Sequence, residues 1–512
     1  MTPGILTAIV FIPVAGLVPL AFAWRSDRWS KVVGIAVTVI DLVVSLVMLW
    51  AFKIGEPGFQ MMEKADWLPT LGVNYLLAVD GLSALLVVLT ALLTVVSLVA
   101  SWHPIQTRVQ EYVASFLILE TGMLGVFVAL DLFLFYVFFE LMLVPMYLII
   151  GIWGGPRRIY ATIKFVLFTL AGSLLMLVGI AAVYLQSGEP GQRTLSYLEL
   201  LQRRSLFPVD FQTLAFIAFA LAFAIKLPMF PFHTWLPDAH VEAPTAGSII
   251  LAGILLKAGG YGFIRFALPL FPEGVRASIP FPILGQVNLL ALVLGLSVVA
   301  ILYGAAVSTM QRDLKKLVAY SSVAHMGFVT LGAFVLNAQG LAGAVLQMVN
   351  HGIVTGALFL CVGIQYERTH RRLIADLGGL ANRWPLFTGF FGLFMLASLG
   401  LPGLNGFVGE FLVLVGSLAH NVALGALAAI GVILAAVYLL WMFQRVMYGP
   451  LREAYRALPD LNRAELIALA PLAALTILLG VYPQPFLDII NPTVANIVKL
   501  AAGPAVLTLV AR

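Results

Sequence analysis

Residues 214–235 read LAFIAFALAFAIKLPMFPFHTW. An unbroken apolar run, Leu214–Ile225, ends on Lys226, and Pro228 and Pro231 follow at once. The run is long enough to enter a bilayer, yet it stops at a charge and at residues that cannot continue a helix. A lysine at the bilayer centre costs about 2.5–3.5 kcal/mol on insertion scales. Together these features predict a membrane helix broken at depth, its amine turned toward protein.

Three other stretches repeat the theme. Lys257 interrupts GSIILAGILLKAGGYGFI (247–264), Glu140 interrupts LFLFYVFFELMLVPMYLII (132–150), and Glu410 follows the breaker-rich LGLPGLNGFVGE (399–410). Ionisable groups at membrane depth face a bundle interior or a wet cavity and mark ion or proton paths. Glu140, Lys226, Lys257 and Glu410 are therefore the candidate proton-translocating residues.

Hydrophobic residues fill 61% of the 512 positions and charged ones 10%, which excludes a soluble domain. Repeated apolar runs predict an all-α integral membrane protein of about fourteen transmembrane helices. No connecting loop is long enough for a soluble domain. The N-terminal MTPGILTAIVFIPVAGLVPLAFAW lacks a leading basic segment and reads as a retained helix. The net charge of +5 comes from loops, with no basic cluster suited to nucleic acid. One cysteine, Cys361, excludes an internal disulfide and reads as a packing residue. Neither a phosphate-binding G-x-x-x-x-G-K-[ST] nor a G-x-G-x-x-G occurs, so the energy source is an ion gradient or a partner.

Span seven (211–236) carries Pro228 and Pro231 with Pro237 just beyond, and span twelve (385–418) carries Gly400, Pro402, Gly403, Gly406 and Gly409. The two breaks lie five helices apart. Paired interrupted helices in corresponding halves point to a transporter, and an odd offset inverts one half relative to the other. The expected organisation is an N-terminal three-helix segment (1–110), a first antiporter-like repeat (111–268), a second (282–447), and a C-terminal helix and tail (448–512).

Lys257 lies about 20 Å along its span at the α-helical rise, near midmembrane. A lysine balanced between desolvation and a nearby carboxylate takes up and releases a proton near neutral pH, which arginine cannot do. Glu140, the only carboxylate deep in span five, is the expected partner of Lys226; a static ion pair is the plain alternative. His325 and His351 lie between Lys257 and Glu410 in chain order and are candidate proton-relay residues, set against ordinary packing histidines. His233 and His240 beside the span-seven break divide evenly between capping and relay. Glu120 and Asp131 sit nearer span ends, where a solvated position competes with a role. Arg157, Arg158, Lys315, Lys316, Arg371 and Arg372 read as loop charges. No spacing suits a metal.

The segments FELMLVPMYLIIGIWGG (139–155), KLPMFPFHTWLPDAHVEAPTAGSIILAGILLKAGGYG (226–262), DLKKLVAYSSVAHMGF (313–328), MVNHGIVTGALFL (348–360) and LPGLNGFVGEF (401–411) resemble the proton-antiporter-type membrane subunits of respiratory complex I. Among its branches the chain is most similar to chain M of NADH-quinone oxidoreductase, the counterpart of mitochondrial chain 4. LLAVDGLSALLVVLTALLT (76–94) and the glutamate at Glu410 carry that assignment. The resemblance covers essentially the whole chain. It implies a half-channel in each repeat joined by a central hydrophilic axis, with Glu140, Lys226, Lys257 and Glu410 on the family's four key positions. It also implies that FMN, iron–sulfur clusters and quinone belong to partner subunits, and none to this chain. The implied neighbours are chains of the L and N type, in the cell's inner or plasma membrane. A photosynthetic-type complex I, a multisubunit Na+/H+ antiporter, a membrane-bound hydrogenase and a non-transporting scaffold are the alternatives.

Lys and Arg are unevenly shared between the two sides: eighteen fall on one, eight on the other, and Lys226, Lys257 and Arg265 lie within spans. The positive-inside rule then places both termini on the non-cytoplasmic side. Cysteines introduced in the 187–209 loop should react with an impermeant thiol reagent from outside, and those in 367–383 only from the cytoplasm. The reverse labelling would invert the topology.

Overall fold

The structure, a computed structural model, describes residues 4–281 and 285–502. The opening residues of the expected second repeat, 282–284, and the last ten of the tail lie outside the described residues. The chain opens with α1 (Ile5–Ala15) and α2 (Leu17–Ala23), one apolar span kinked at Gly16, followed by α3 (Asp27–Ala51). A hairpin of β1 (Gln60–Leu68) and β2 (Val73–Val79) leads to α4 (Ala84–Ala100) and α5 (Val109–Val128). Span five is split into α6 (Leu132–Leu141) and α7 (Leu143–Trp153), and α8 (Arg158–Gln186) and a short α9 (Tyr197–Arg203) follow. Next come α10 (Val209–Lys226), α11 (Trp235–Glu242) and α12 (Thr245–Leu270). A second hairpin, β3 (Ser278–Phe281) with β4 (Gly285–Asn288), precedes α13 (Leu289–Thr309), α14 (Leu314–Phe334) and α15 (Ala338–Thr369). The chain ends with α16 (Pro385–Ser398), α17 (Asn405–His420), α18 (Val422–Met447), α19 (Arg463–Val481) and α20 (Gln484–Ala502).

Twelve helical spans among the described residues are long and apolar enough to cross a membrane; α4, α16 and α17 are apolar but shorter. The helical expectation holds, with two loop hairpins that apolar periodicity does not register. In the C-terminal segment, Gln484–Ala502 form a helix, α20.

Local chemistry sets the helix ends. Ser26, Asp131, Asn288, Asp313, Asn337, Asn421 and Asn462 each accept hydrogen bonds from the first free amides of the helix they precede. Each such cap stabilises a helix start by about 1 kcal/mol. Asp131 also accepts from Asn74 N at 3.0 Å, joining β2 to α6, and burial pushes its carboxyl up to about 6 against the pull of those amides. Asp131 is thus a buried cap and not a headgroup-level charge. The start of α1 has no side-chain cap of its own; Glu63 on β1 supplies one from a distance, accepting from Leu6 N (2.8 Å) and Thr7 N (3.0 Å).

Both predicted breaks are present. After α10 the chain unwinds through Leu227–Thr234, and Trp235 Nε1 donates to the carbonyl of Ile225 at 2.9 Å. Leu399–Leu404 separates α16 from α17, with Gly400 and Gly403 at φ 81° and 91°. Non-helical backbone at this depth persists because protein groups satisfy it.

Burial orders the bundle. The spans α12 and α15 are wholly enclosed, and α14 nearly so, whereas α3, α18 and α19 are about one-third buried and turn apolar faces outward. The interior of the bundle is thus formed by α12, α14 and α15.

One ion pair fastens the N-terminal hairpin to this centre. Asp80, at the end of β2, meets Arg265 of α12 at 2.5 Å, and both are almost fully buried. Arg265 also faces the rings of Phe59 and Tyr261. Breaking a buried pair strands a charge at a cost of about 3–5 kcal/mol. Asp80→Ala should lower the thermal stability of the assembled protein by that order, and Asp80→Leu combined with Arg265→Met should recover most of it. Equal loss in single and double variants would show that the pair is not the fastener.

Candidate functional site: a buried charge row

The core spans carry the charges. Lys257 stands in α12 between two π-helical turns, Leu251–Leu255 and Phe263–Ala267. Widened turns of this kind disturb the regular i to i−4 ladder, and the amine bonds to the carbonyl of Ala252, five residues back on its own helix. Its second partner is His351 Nδ1 on α15, at 2.7 Å. Lys257 is 0% exposed and has no carboxylate partner among the described residues. The carbonyl accepts from the amine and the imidazole nitrogen lies within hydrogen-bond distance of it, but neither carries a charge that would neutralise an ammonium.

From His351 the row passes to α14. The rings of His351 and His325 lie 5.7 Å apart, centre to centre. His325 Nδ1 is 2.7 Å from Glu410 Oε1, and its Nε2 is 3.2 Å from Ser398 Oγ. Gln347 Nε2 donates to the same Glu410 oxygen at 2.9 Å. A cavity of about 10 Å³ available to a water centre lies among His325, Gln347, Asn350, His351, Ser398 and Glu410. Such a space is about what one water needs. His351 Nε2, Gln347 Oε1 and Asn350 Oδ1 have no protein partner among the described residues.

The span-twelve break makes this possible. It ends α16 at Ser398 and restarts the chain at Asn405, so both flanks of the break touch the row: Ser398 through His325, and Asn405 through its carbonyl, which accepts from Asn350 Nδ2 at 2.7 Å. Gly409 matters by its size. A Cβ there would sit 2.5 Å from Gln347 Oε1 and 3.1 Å from Gln347 Cα, so a larger residue would push away the Gln347 amide that reaches Glu410.

Among the predicted residues, Lys257, His351, His325 and Glu410 thus come together in one line. Lys226 closes α10 at the span-seven break, buried, with its amine 4.9 Å above the ring of Phe139. Glu140 is one residue further on in α6 and only half-buried, and no ion pair joins it to Lys226 among the described residues. The static ion pair, the plain alternative for these two residues, is therefore absent among the described residues, and the amine lies over an aromatic face with the partly exposed Glu140 beside it.

His233 is packed between Phe230 and Tyr303, with Nδ1 unpartnered among the described residues. His240 stacks on Phe359 at 4.3 Å, fully buried, with both nitrogens unpartnered among the described residues. Neither side chain caps a helix among the described residues. Lys315, read from sequence as a loop charge, is in fact buried and donates to the carbonyl of Ala243 at 2.6 Å. Glu120, read as lying near a span end, is fully enclosed.

Gln347, Asn350 and Ser398 are part of the row and carry no charge, so a scan for ionisable groups passes over them. A signal existed for two of them: Gln347, Asn350 and His351 fall at i, i+3 and i+4 within an otherwise apolar run, one helix face.

Residues 129–436 match the family model of the NADH:quinone oxidoreductase/Mrp antiporter membrane subunits, and residues 8–131 the amino terminus of NADH-ubiquinone oxidoreductase chain 4. The chain is 48% identical to NADH-quinone oxidoreductase subunit M of Rhodobacter capsulatus, over 97% of this chain and 96% of that one. It is 43% identical to NADH-ubiquinone oxidoreductase chain 4 of Arabidopsis thaliana, over 96% and 97% respectively. Among solved structures it superposes on a chain of respiratory complex I from Thermus thermophilus with a TM-score of 0.86, 34% identity, and coverage of 97% of this chain and all of that one.

A row that moves protons needs a group that releases its proton at each station. Lys257→Arg keeps the charge and loses the release, so it should reduce proton pumping in vesicles almost as far as Lys257→Ala, by about tenfold or more. Glu410→Gln keeps shape and hydrogen bonding and should assemble yet lose pumping to a similar degree. Full pumping in both variants would place the route elsewhere.

Proposed function

The chain belongs to the NADH:quinone oxidoreductase/Mrp antiporter family of membrane subunits, in the subunit M and chain 4 branch, and from that membership we propose that its buried charges carry protons across the bilayer. It is a multi-pass, proton-translocating membrane subunit of complex I, and so part of an oxidoreductase whose electron transfer from NADH to quinone takes place in other chains. The observation that carries the site assignment is the enclosed line Lys257–His351–His325–Glu410, with hydrogen-bonded contacts of 2.7 Å at both ends. A static scaffold has no use for a central amine without a carboxylate beside it, given what burying such a charge costs.

In this reading Lys226, Lys257 and Glu410 are successive proton-holding stations, His351 and His325 relay between the last two, and Glu140 acts on Lys226 through space from the chain's outer face. Its partial exposure at membrane depth suits contact with a neighbouring subunit of the L or N type. Counting α4 as a span, and α16 with α17 as one broken span, gives fourteen passes. The paired breaks support two inverted five-helix repeats at 111–268 and 282–447, flanked by the segments 1–110 and 448–512. Both termini face away from the cytoplasm of a bacterial inner or plasma membrane. FMN, iron–sulfur clusters and quinone belong to partner subunits.

Glu140→Ala and Lys226→Ala should each leave the complex assembled, lower proton pumping by about tenfold or more, and slow quinone reduction through coupling. Glu140→Asp, which keeps the charge, should retain part of the activity. Normal pumping by either alanine variant in assembled complexes would remove the pair from the route. Intrinsic NADH oxidation by the purified chain alone would overturn the subunit reading itself.

A further inference from the structure

Two acids lie outside the charge row. Asp41 is midway along α3 and Glu120 midway along α5, and both are 0% exposed. None of their four carboxylate oxygens has a hydrogen-bond partner among the described residues.

Helix register brings them to one level. A Cβ on Gly34 of α3 would touch Val113 of α5 and reach Leu98 of α4, so those three residues share a depth. With α4 returning between them, α3 and α5 run parallel, and seven residues further on are Asp41 and Glu120, about 10 Å deeper at the α-helical rise. Side chains lean toward the N-terminus of their own helix. Both carboxylates therefore lean back toward Thr94 and Ser97 of α4, and the Thr94 hydroxyl stands close to Glu120. Ser45, one turn beyond Asp41, leans toward it, and Ser97 leans toward Thr94. Both serine hydroxyls are fully buried and without a partner.

The surroundings supply hydroxyls and no counter-charge. The nearest cation on the three helices, Lys31, is spent on the carbonyls of Trp102 and Ile105, each at 2.7 Å. It lines, with Ser101 and Tyr112, a cavity of about 10 Å³ between the same helices toward the 101–108 loop. The titratable groups on the elements packed around the trio are Tyr75 and Asp80 on or after β2, Tyr136 and Glu140 on α6, Tyr147 on α7, Lys257, Tyr261 and Arg265 on α12, His351, Cys361, Tyr366, Glu367 and Arg368 on α15, and Arg463 and Glu465 on α19. None hydrogen-bonds to either acid. Two ionised carboxylates enclosed together would each lose hydration worth several kcal/mol and repel one another.

We propose that Asp41 and Glu120 form a second proton-holding site, which keeps a proton on the carboxyl pair and communicates through Ser97, Ser101 and Tyr112 with the 101–108 loop. The site stands whether or not the Lys257–Glu410 row is the main route.

The test is infrared difference spectroscopy on the assembled complex at neutral pH, wild type against Asp41→Asn with Glu120→Gln. The wild type should show the carbonyl stretch of a neutral carboxylic acid that the double variant lacks, shifted in D2O and indifferent to exchange of potassium for sodium. No difference band would mean that both acids are ionised and would overturn the proposal. A band lost when sodium is added would assign the pair to a metal cation and overturn it equally. If the amide variants do not assemble, the wild-type complex is treated with a hydrophobic carbodiimide, which reacts with protonated acids. Modification of Asp41 or Glu120 found by peptide mass spectrometry then supports the site, and unmodified peptides for both refute it.

Discussion

A fully enclosed amine at Lys257 is the constraint around which the rest is arranged. In a low-dielectric interior a charge must find dipoles or give up its proton. Here α12 widens into a π-helical turn and its Ala252 carbonyl takes one hydrogen bond of the amine, while His351 on the next enclosed span takes another. Neither partner carries a compensating negative charge in the way a carboxylate would. The most deeply buried helices of the bundle, α12, α14 and α15, are the ones that bear these groups.

Broken helices follow from the same requirement. A continuous α17 would spend its first amides and the preceding carbonyls on its own ladder. The break at Leu399–Leu404 frees a serine and a backbone carbonyl to meet His325 and Asn350, and the missing side chain at Gly409 sets the distance to Gln347. At span seven the break comes directly after Lys226, and Trp235 satisfies the carbonyl of Ile225 that the break would otherwise orphan. The outer helices α3, α18 and α19 carry little of this and mainly present apolar faces.

Other polar contacts fasten hairpins and helix ends to the bundle. Asp80 with Arg265 ties the first hairpin to α12, Glu63 caps α1 from that same hairpin, and Asp131 joins β2 to α6. These contacts span many positions of sequence, which is why loops that look unremarkable by composition hold charged residues with defined partners. Lys315 belongs to this group as well: it ends buried against the Ala243 carbonyl because α14 starts beneath the α11–α12 turn.

Much of the architecture was legible in the linear sequence. Apolar runs near 20 residues require spans, prolines and glycines at Pro228, Pro231, Gly400 and Gly403 require breaks, and a charge within a run requires a protein-facing position; each is a local rule that needs no partner to be known. The four charged candidates and the histidines His325 and His351 were legible for the same reason. Which groups meet was not. That Lys226 lies over Phe139 without touching Glu140, that Gln347, Asn350 and Ser398 complete the row, and that Asp41 and Glu120 face each other across α3 and α5 all depend on helix rotation and register. Those are decided by side-chain packing between segments distant in sequence, where a one-residue rotation of about 100° moves a group from one neighbour to another, and only the tertiary structure settles them.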